Sequence, residues 1–333
     1  MRTPSDNTAK RLKNTAGFYN PQGKPVHALL SRSEKFKGRF LPRLAQVSLF
    51  ALSMAITGMA EGAHKAAVSA TFFAGVSVYL RRSATQKFNE SVKSGEVYDF
   101  AKPRDAAAFR HKYPVQQNMP EQFAALSADA GFEKPPLFSV TSKEAFAVIG
   151  KTTFMATKPE YAVRMGRSFL NDADPALVAH VCAHELGHAN RGHMEDAEPI
   201  AVLTTHGMHM KAGAAMALSG NIIGGAFYTA FSIAASAVAR AKQMQSYEYE
   251  ADRYALVKSG VVDEAARTFE RNSAPRPPLS QPILRVSFEL SKIREDLFEP
   301  HPASEKRAAY MRAYGAVNQN AARETRISIG VRP

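Results

Sequence analysis

The chain has 333 residues, 45% of them apolar, which suffices for a sizeable core and argues against disorder throughout. Its single cysteine, Cys182, rules out an intrachain disulfide and argues against a disulfide-rich secreted scaffold. The net charge of +13 is distributed unevenly, because residues 1–43 hold ten Lys or Arg and only two acidic residues. We interpret residues 1–43 as a basic N-terminal arm.

An apolar segment over residues 44–82 follows the arm. Two apolar runs, residues 44–60 and 66–80, are separated by a short polar break. Basic residues stand at both outer ends, at Arg43 and Arg82, and the positive-inside rule then predicts a transmembrane helical hairpin in the inner (cytoplasmic) membrane. The N-terminus and the chain after the hairpin are expected on the cytoplasmic side. A soluble apolar hairpin and an export signal, which would carry the protein out of the cytoplasm, are the alternatives.

The chain from residue 83 to residue 315 is predicted to form one α+β domain that is mostly helical, followed by a C-terminal tail, residues 316–333. Helices are expected over residues 120–130 and 283–298. Asp174 with a following proline is typical of the start of another helix. Short runs rich in β-branched and aromatic residues predict a small sheet, at residues 137–141, 145–149, 152–157 and 161–165.

Four of the ten histidines lie close together, at positions 180, 184, 188 and 193. His184 and His188 belong to the motif HELGH, and residues four apart share one face of a helix, so both imidazoles can bind one ion. Glu185 is directed towards the same cavity, as in zinc peptidases, where this carboxylate activates the attacking water. His180 also pairs with His184 by spacing, but no glutamate follows it, and it is not expected to be a ligand.

A catalytic zinc site needs a third protein ligand, and the stretch EYEAD at residues 248–252 offers candidates. Glu248 and Asp252 share one helix face, so Glu248 can bind zinc while Asp252 orients a ligand histidine. Glu250 points elsewhere and is expected to be exposed to solvent. Ala251 is small enough to let this helix approach the HELGH helix closely.

These motifs, together with HPASEKR at residues 301–307, resemble the HtpX-type and CAAX-prenyl-protease-type zinc metalloendopeptidases. That family shares HExxH, a later Glu-x-x-Ala-Asp helix, and a downstream His-Pro followed by Glu and Arg. The resemblance covers roughly residues 120–315. It implies a zincin-like catalytic domain whose single zinc ion is held by His184, His188 and Glu248.

The resemblance also implies roles for residues around the zinc ion. Glu185 takes the proton of the attacking water, and His301 stabilises the tetrahedral oxyanion. Substrate is expected to add as a strand along four residues of the sheet edge, Ala145, Phe146, Ala147 and Val148. The family usually has Asn-Ala-Phe-Ala at this edge, whereas this chain begins the segment with Glu144.

An apolar insert over residues 199–239 interrupts the domain and carries no charge from residue 212 to residue 239. His188 precedes the insert and Glu248 follows it, and both must reach one ion, so a single membrane span is excluded. The insert is predicted to form either two short spans that turn near residues 221–225 or a hairpin packed on the catalytic domain.

The sequence therefore predicts a membrane-associated, zinc-dependent endopeptidase with protein quality control as a candidate role. Its expected partners are a protein or peptide substrate and a lipid membrane, and no nucleic acid is expected. A non-catalytic membrane scaffold or chaperone that keeps the metallopeptidase fold is one alternative, and the intact Glu185 argues against it. A basic nucleic-acid-binding protein that uses residues 1–43 is the other alternative.

Overall fold

The structure is a computed structural model that describes residues 40–76, 79, 95–142, 147–151, 160–190, 193, 199–271, 273, 278 and 280–328. Its helices are α1 (Leu41–Glu61), α2 (residues 63–76), α3 (Pro103–Lys112), α4 (Met119–Asp129), α5 (Arg167–Asp172), α6 (Pro175–Asn190), α7 (Pro199–Leu218), α8 (Ile222–Ser259), α9 (Asp263–Arg271), α10 (Pro282–Phe298) and α11 (Ser304–Ser328). Its strands are β1 (Glu96–Tyr98), β2 (Leu137–Thr141), β3 (Ala147–Lys151) and β4 (Glu160–Gly166). The predicted α+β class with mainly helical content is confirmed.

The four strands form one sheet in the order β1-β2-β4-β3. The central strands β2 and β4 are parallel, and each edge strand pairs antiparallel with its neighbour. Three strands overlap the predicted runs at residues 137–141, 145–149 and 161–165. The run at residues 152–157 lies outside the described residues. β1 was not predicted, because three residues are too few to show an alternating pattern.

The core between the sheet and the helices is built from aromatic side chains. Phe109 of α3, Phe123 of α4 and Phe138 of β2 are fully buried, and the ring of Phe138 meets the other two nearly edge-on. Burial of a side chain of this size contributes about 1.5–3 kcal/mol relative to exposure. At the start of α6, Asp174 Oδ1 accepts the backbone N–H of Ala176 at 2.7 Å, which is the expected N-terminal cap.

The HELGH helix, α6, packs along the C-terminal half of α8. At Gly187 of α6 a Cβ atom would lie 3.1 Å from Tyr254 Cδ1 of α8, so the two helices are in close contact at this point. Ala251 is also fully buried between them. This close approach places the HELGH motif beside the EYEAD motif.

The apolar segments form a helical bundle in which α1 packs against α7 and α8. α7 and α8 make a hairpin that turns at residues 219–221, next to the predicted turn. By length and composition alone, α1 and α8 could each cross a membrane. The outside of the bundle exposes many apolar side chains, among them Leu44, Val47, Val68, Phe72, Leu218, Ile223, Phe227 and Phe231.

Two kinds of contact hold this bundle together. Ser53 of α1 places its Oγ 2.6 Å from His209 Nδ1 of α7 and 2.8 Å from the Tyr228 hydroxyl of α8. Gly213 of α7 and Gly225 of α8 face each other so closely that a Cβ on Gly225 would collide with the carbonyl oxygen of Gly213. Small residues and buried polar links of this kind are typical of helix packing in membranes.

The C-terminal helices pack on the far end of α8. Gly260 ends α8 in the left-handed region at φ 66°, and a side chain there would collide with the carbonyl oxygen of Ala322 in α11. Ala322 is buried, and α11 also contacts α9. α11 continues past residue 315, and Ala322 in its second half packs against the end of α8.

Candidate metal centre

Three side chains converge where α6 and α8 meet. His184 and His188 of α6 and Glu248 of α8 each offer a ligand atom, and these atoms all lie within 4.8 Å of one another. The two Nε2 atoms are 3.0 Å apart. Glu248 places one oxygen 3.5 Å from His184 Nε2 and the other 3.4 Å from His188 Nε2. All three side chains are buried, so the cluster forms an enclosed set of metal-binding atoms.

The geometry of this cluster fits a zinc ion. With ligand bonds of about 2.0–2.1 Å in a tetrahedral site, neighbouring ligand atoms stand about 3.3 Å apart. The two Nε2 atoms, 3.0 Å apart, and Glu248 Oε1, 3.4 Å from His188 Nε2, lie near that value. A set with one ligand atom from each of the three residues lies within 4.8 Å. Two imidazoles and one carboxylate are also a common donor set of catalytic zinc sites, which leave a fourth position for water or substrate.

A second set of charged groups lies behind the ligands. Asp252 Oδ1 is 2.9 Å from His184 Nδ1, the ring nitrogen that faces away from Glu248. Arg307 of α11 donates to both oxygens of Asp252, at 2.6 and 2.8 Å, and also lies 3.2 Å from Glu248. Because Arg307 neutralises two buried carboxylates, it lowers the cost of keeping them away from water.

The same contacts set the protonation of the site without an ion. Burial alone would lower the pKa of His184, but hydrogen bonds to Asp252 and Glu248 raise it to about 10. Burial alone would raise the pKa of Glu248, but hydrogen bonds from His184, His188 and His301 hold it well below its ordinary value. The site is therefore arranged for two carboxylates that stay charged, which favours a bound cation.

Two further residues of the predicted site stand beside the ligands. Glu185 lies on α6 between the two histidines and is buried. His301 precedes α11, and its Nδ1 is 3.2 Å from Glu248 Oε1. Its side chain is 67% exposed, so His301 lies on the side of the cluster that a substrate can reach.

The comparison with known protein families agrees with this arrangement. The model of peptidase family M48 matches residues 115–314, which is more than half of the chain. The chain belongs to peptidase family M48. The resemblance to HtpX-type and CAAX-prenyl-protease-type enzymes is thereby confirmed at the level of the family, whose members are metalloproteases and generally depend on zinc. No curated protein and no solved structure matches the chain.

His180 of the M48 domain lies outside the ligand cluster. Its Nδ1 is 3.2 Å from the hydroxyl of Ser259, and burial lowers its pKa to about 3. His180 is therefore a neutral imidazole that is hydrogen-bonded within the core. This agrees with the expectation that it is not a ligand.

The expectation that Glu250 is exposed to solvent is wrong. Glu250 is fully buried, and its Oε2 lies 3.0 Å from Nε2 of His193. Glu250 does point away from Glu248, as two residues on a helix must, but His193 lies beyond the end of α6 and fills the space on that side. His193 in turn contacts His188, with 2.9 Å between the two Nδ1 atoms.

The predicted substrate strand is described only in part. Residues 143–146, which include Glu144, Ala145 and Phe146, lie outside the described residues. Ala147 and Val148 belong to β3, which pairs with β4 on one side, stands at the edge of the described sheet, and lies next to α6. This edge is therefore close to the HELGH helix of the M48 domain.

Three residues of the M48 site were given no role from the sequence, namely His193, Glu250 and Arg307. Arg307 was noted only as the last residue of HPASEKR. Its contacts with two carboxylates form because α11 packs against α8. The signal for His193 was its place in the histidine cluster. His193 and Glu250 are 57 positions apart in the sequence, and contacts between separate elements follow no regular spacing from which they could be predicted.

Proposed function

We propose that this M48 protein is a membrane-associated, zinc-dependent endopeptidase. The observation that carries the proposal is the convergence of His184, His188 and Glu248 in a buried cluster, with one ligand atom from each residue within 4.8 Å of the others. These residues would hold one zinc ion. When bound, zinc supplies Lewis acidity, which polarises the scissile carbonyl and makes water a better nucleophile near neutral pH.

Glu185 is the general base and acid in this proposal. Its carboxylate accepts the proton of the attacking water and then delivers it to the nitrogen of the leaving amine. Support comes from its position on α6 between the two histidine ligands.

His301 is proposed to stabilise the oxyanion that develops on the scissile carbonyl. The contact with Glu248 raises the pKa of His301, so its ring carries a proton more readily than an isolated histidine. A protonated ring that is 67% exposed can donate a hydrogen bond to a substrate oxygen. Its contact with the ligand Glu248 keeps it beside the reacting bond.

The substrate is proposed to be an extended segment of a protein or peptide. The edge strand β3 has a backbone edge that does not pair with β4, and a peptide can add there by main-chain hydrogen bonds. Because β3 lies next to α6, a peptide bound along Ala147 and Val148 would run past the HELGH helix.

Membrane association is proposed for the bundle of α1, α2, α7 and α8. Support comes from its exposed apolar side chains and from the length of α1 and α8. Arg43, in the first turn of α1, donates to the Tyr247 hydroxyl of α8 at 3.5 Å, one residue before Glu248. The basic end of α1 thus stands on the same side as the metal centre, and the positive-inside rule makes this side cytoplasmic.

The proposal is tested by the purified full-length protein with zinc and an unfolded model substrate such as β-casein, with new amino termini counted by mass spectrometry. Glu185→Gln should bind one zinc ion per chain and lose peptide-bond hydrolysis by several orders of magnitude, because an amide cannot accept the proton. If the wild-type protein holds one zinc and cleaves no more than Glu185→Gln, the scaffold or chaperone alternative replaces the peptidase.

A further inference from the structure

A buried chain of polar side chains leads from His188 away from the other ligands. His188 Nδ1 lies 2.9 Å from His193 Nδ1, and His193 Nε2 lies 3.0 Å from Glu250 Oε2. The side chains of His193 and Glu250 are 2% and 0% exposed. We propose that His193 and Glu250 are positioning residues that fix the His188 ring for metal binding. The inference rests on the metal site of the proposed function.

The hydrogen-bonding capacity of the two rings allows one arrangement when His188 binds a metal. A histidine that binds through Nε2 carries its proton on Nδ1, which must then donate. The Nδ1 atom of His193 therefore accepts, so the proton of a neutral His193 is on Nε2 and is donated to Glu250. The Glu250 oxygen that accepts at the end of this series of hydrogen bonds thus selects the tautomer of both rings.

The ring of His193 is held from its face as well as from its edges. Tyr247 stacks on it with 4.3 Å between ring centroids and an angle of 9° between the planes. The Tyr247 hydroxyl accepts from Gln243 at 2.6 Å and from Arg43 of α1 at 3.5 Å. A ring fixed in this way can impose one orientation on His188.

Each of the two histidine ligands is therefore oriented by a carboxylate of α8, one through a direct contact and the other through an intervening histidine. Asp252 reaches His184 directly, because it shares a helix face with Glu248. Glu250 stands about 200° around α8 from Glu248 and cannot reach a ligand itself. His193 bridges the gap, which explains why a carboxylate expected to be exposed is completely buried.

The test uses full-length variants in detergent. Zinc affinity is measured by competition with a chromophoric chelator, and the visible absorption spectrum is recorded for the Co²⁺ form of each variant. His193→Ala and Glu250→Ala should weaken zinc binding about 10–100-fold and alter the Co²⁺ absorption, as losses behind a ligand histidine do. Glu250→Gln keeps an oxygen that can accept from His193 and should stay within about three-fold of wild type. His180→Ala is the matched control, because it removes an equally buried histidine of α6 that bonds Ser259.

Thermal unfolding without metal shows whether each variant is folded. If Glu250→Ala does not fold, the variant His193→Gln is used in its place. The carbonyl of the introduced glutamine can still accept from His188, so His193→Gln should bind zinc more tightly than His193→Ala. Equal losses in His193→Ala and His180→Ala, or wild-type affinity in both His193→Ala and Glu250→Ala, would overturn the inference. A wild-type protein that binds zinc without cleaving substrate contradicts the proposed function alone, and one that binds no zinc contradicts both.

Discussion

Asp252 Oδ1 lies 2.9 Å from Nδ1 of His184, and both oxygens of that carboxylate accept from Arg307. Asp252 is completely buried, so its contacts are not screened by water. A carboxylate fixed by a guanidinium on one side can hold an imidazole on the other side in a single orientation. These contacts thus fix the orientation of His184, the first of the proposed metal ligands.

Replacing Asp252 should loosen the metal without removing a ligand. Asp252→Ala is expected to weaken zinc binding about 10–100-fold. Chelator competition measures the effect. Asp263→Ala is the control, because Asp263 pairs with Arg312 in an exposed position away from the site. Equal affinities for wild type and Asp252→Ala would show that Asp252 does not orient His184.

Zinc binding should release a proton from His184. The pKa of this group in the ion-free site is about 10, so it is protonated at pH 7.5, whereas a metal ligand must have a free lone pair. Calorimetry at pH 7.5 in buffers of different ionisation enthalpy should report about one proton released per zinc bound. Asp252→Asn should reduce that number. A binding enthalpy that is the same in every buffer would contradict the raised pKa.

The raised pKa also has a consequence for the stability of the ion-free protein. A histidine whose pKa rises on folding stabilises the fold at low pH, below its unfolded value of about 6.5. That contribution is lost as the pH rises through the folded value of about 10. Chemical unfolding of the ion-free protein between pH 6.5 and pH 10 should therefore show falling stability, and His184→Gln should flatten the dependence.

The contact between α7 and α8 should not tolerate a side chain at Gly225. Gly225→Ala would push a methyl group into the carbonyl oxygen of Gly213, and overpacking of this kind costs about 1–3 kcal/mol. At Gly75 of α2 an added Cβ meets nothing within 4 Å, so Gly75→Ala is the matched control. Thermal unfolding in detergent should show a lower Tm for Gly225→Ala only. Similar values for both variants would mean that the two helices are less tightly packed.

The apolar bundle should keep the protein in the membrane fraction after an alkaline carbonate wash. Val47 of α1 and Ile223 of α8 are 63% and 85% exposed, and an arginine there would cost up to about 2.5–3.5 kcal/mol within the bilayer. Val47→Arg with Ile223→Arg should therefore increase the released fraction. Val317→Arg, on the exposed side of α11, should not. Release of the wild-type chain by the same wash would contradict the membrane proposal.

Much of the fold followed from local patterns. Asp174 and the proline after it predicted the start of α6, and the runs rich in β-branched and aromatic residues predicted the strands β2 and β4. The short strand β1 was missed, because its pairing with β2 is a long-range contact without a local pattern. The boundary expected at residue 315 followed the extent of the family resemblance, whereas the packing of Ala322 against Gly260 depends on tertiary structure.

In the candidate site, too, contacts within one helix could be predicted from the sequence and contacts between separate elements could not. The spacing in HELGH and between Glu248 and Asp252 follows from the period of one helix, so a sequence can show it. The contacts of His193 with Glu250, and of Arg307 with Asp252, join separate elements. Helix period placed Glu250 away from Glu248 correctly, but it could not show what packs on that side. Exposure of Glu250 was therefore predicted, whereas the structure buries Glu250 in contact with His193.

The most direct test of the zinc centre is the metal content of the purified protein. Wild type and Glu185→Gln should each contain about one zinc per chain, because Glu185 is proposed as a base and not as a ligand. The double variant His184→Ala, His188→Ala should contain almost none, since two of the three converging ligands are removed. Zinc content in that double variant equal to the wild-type value would contradict the account.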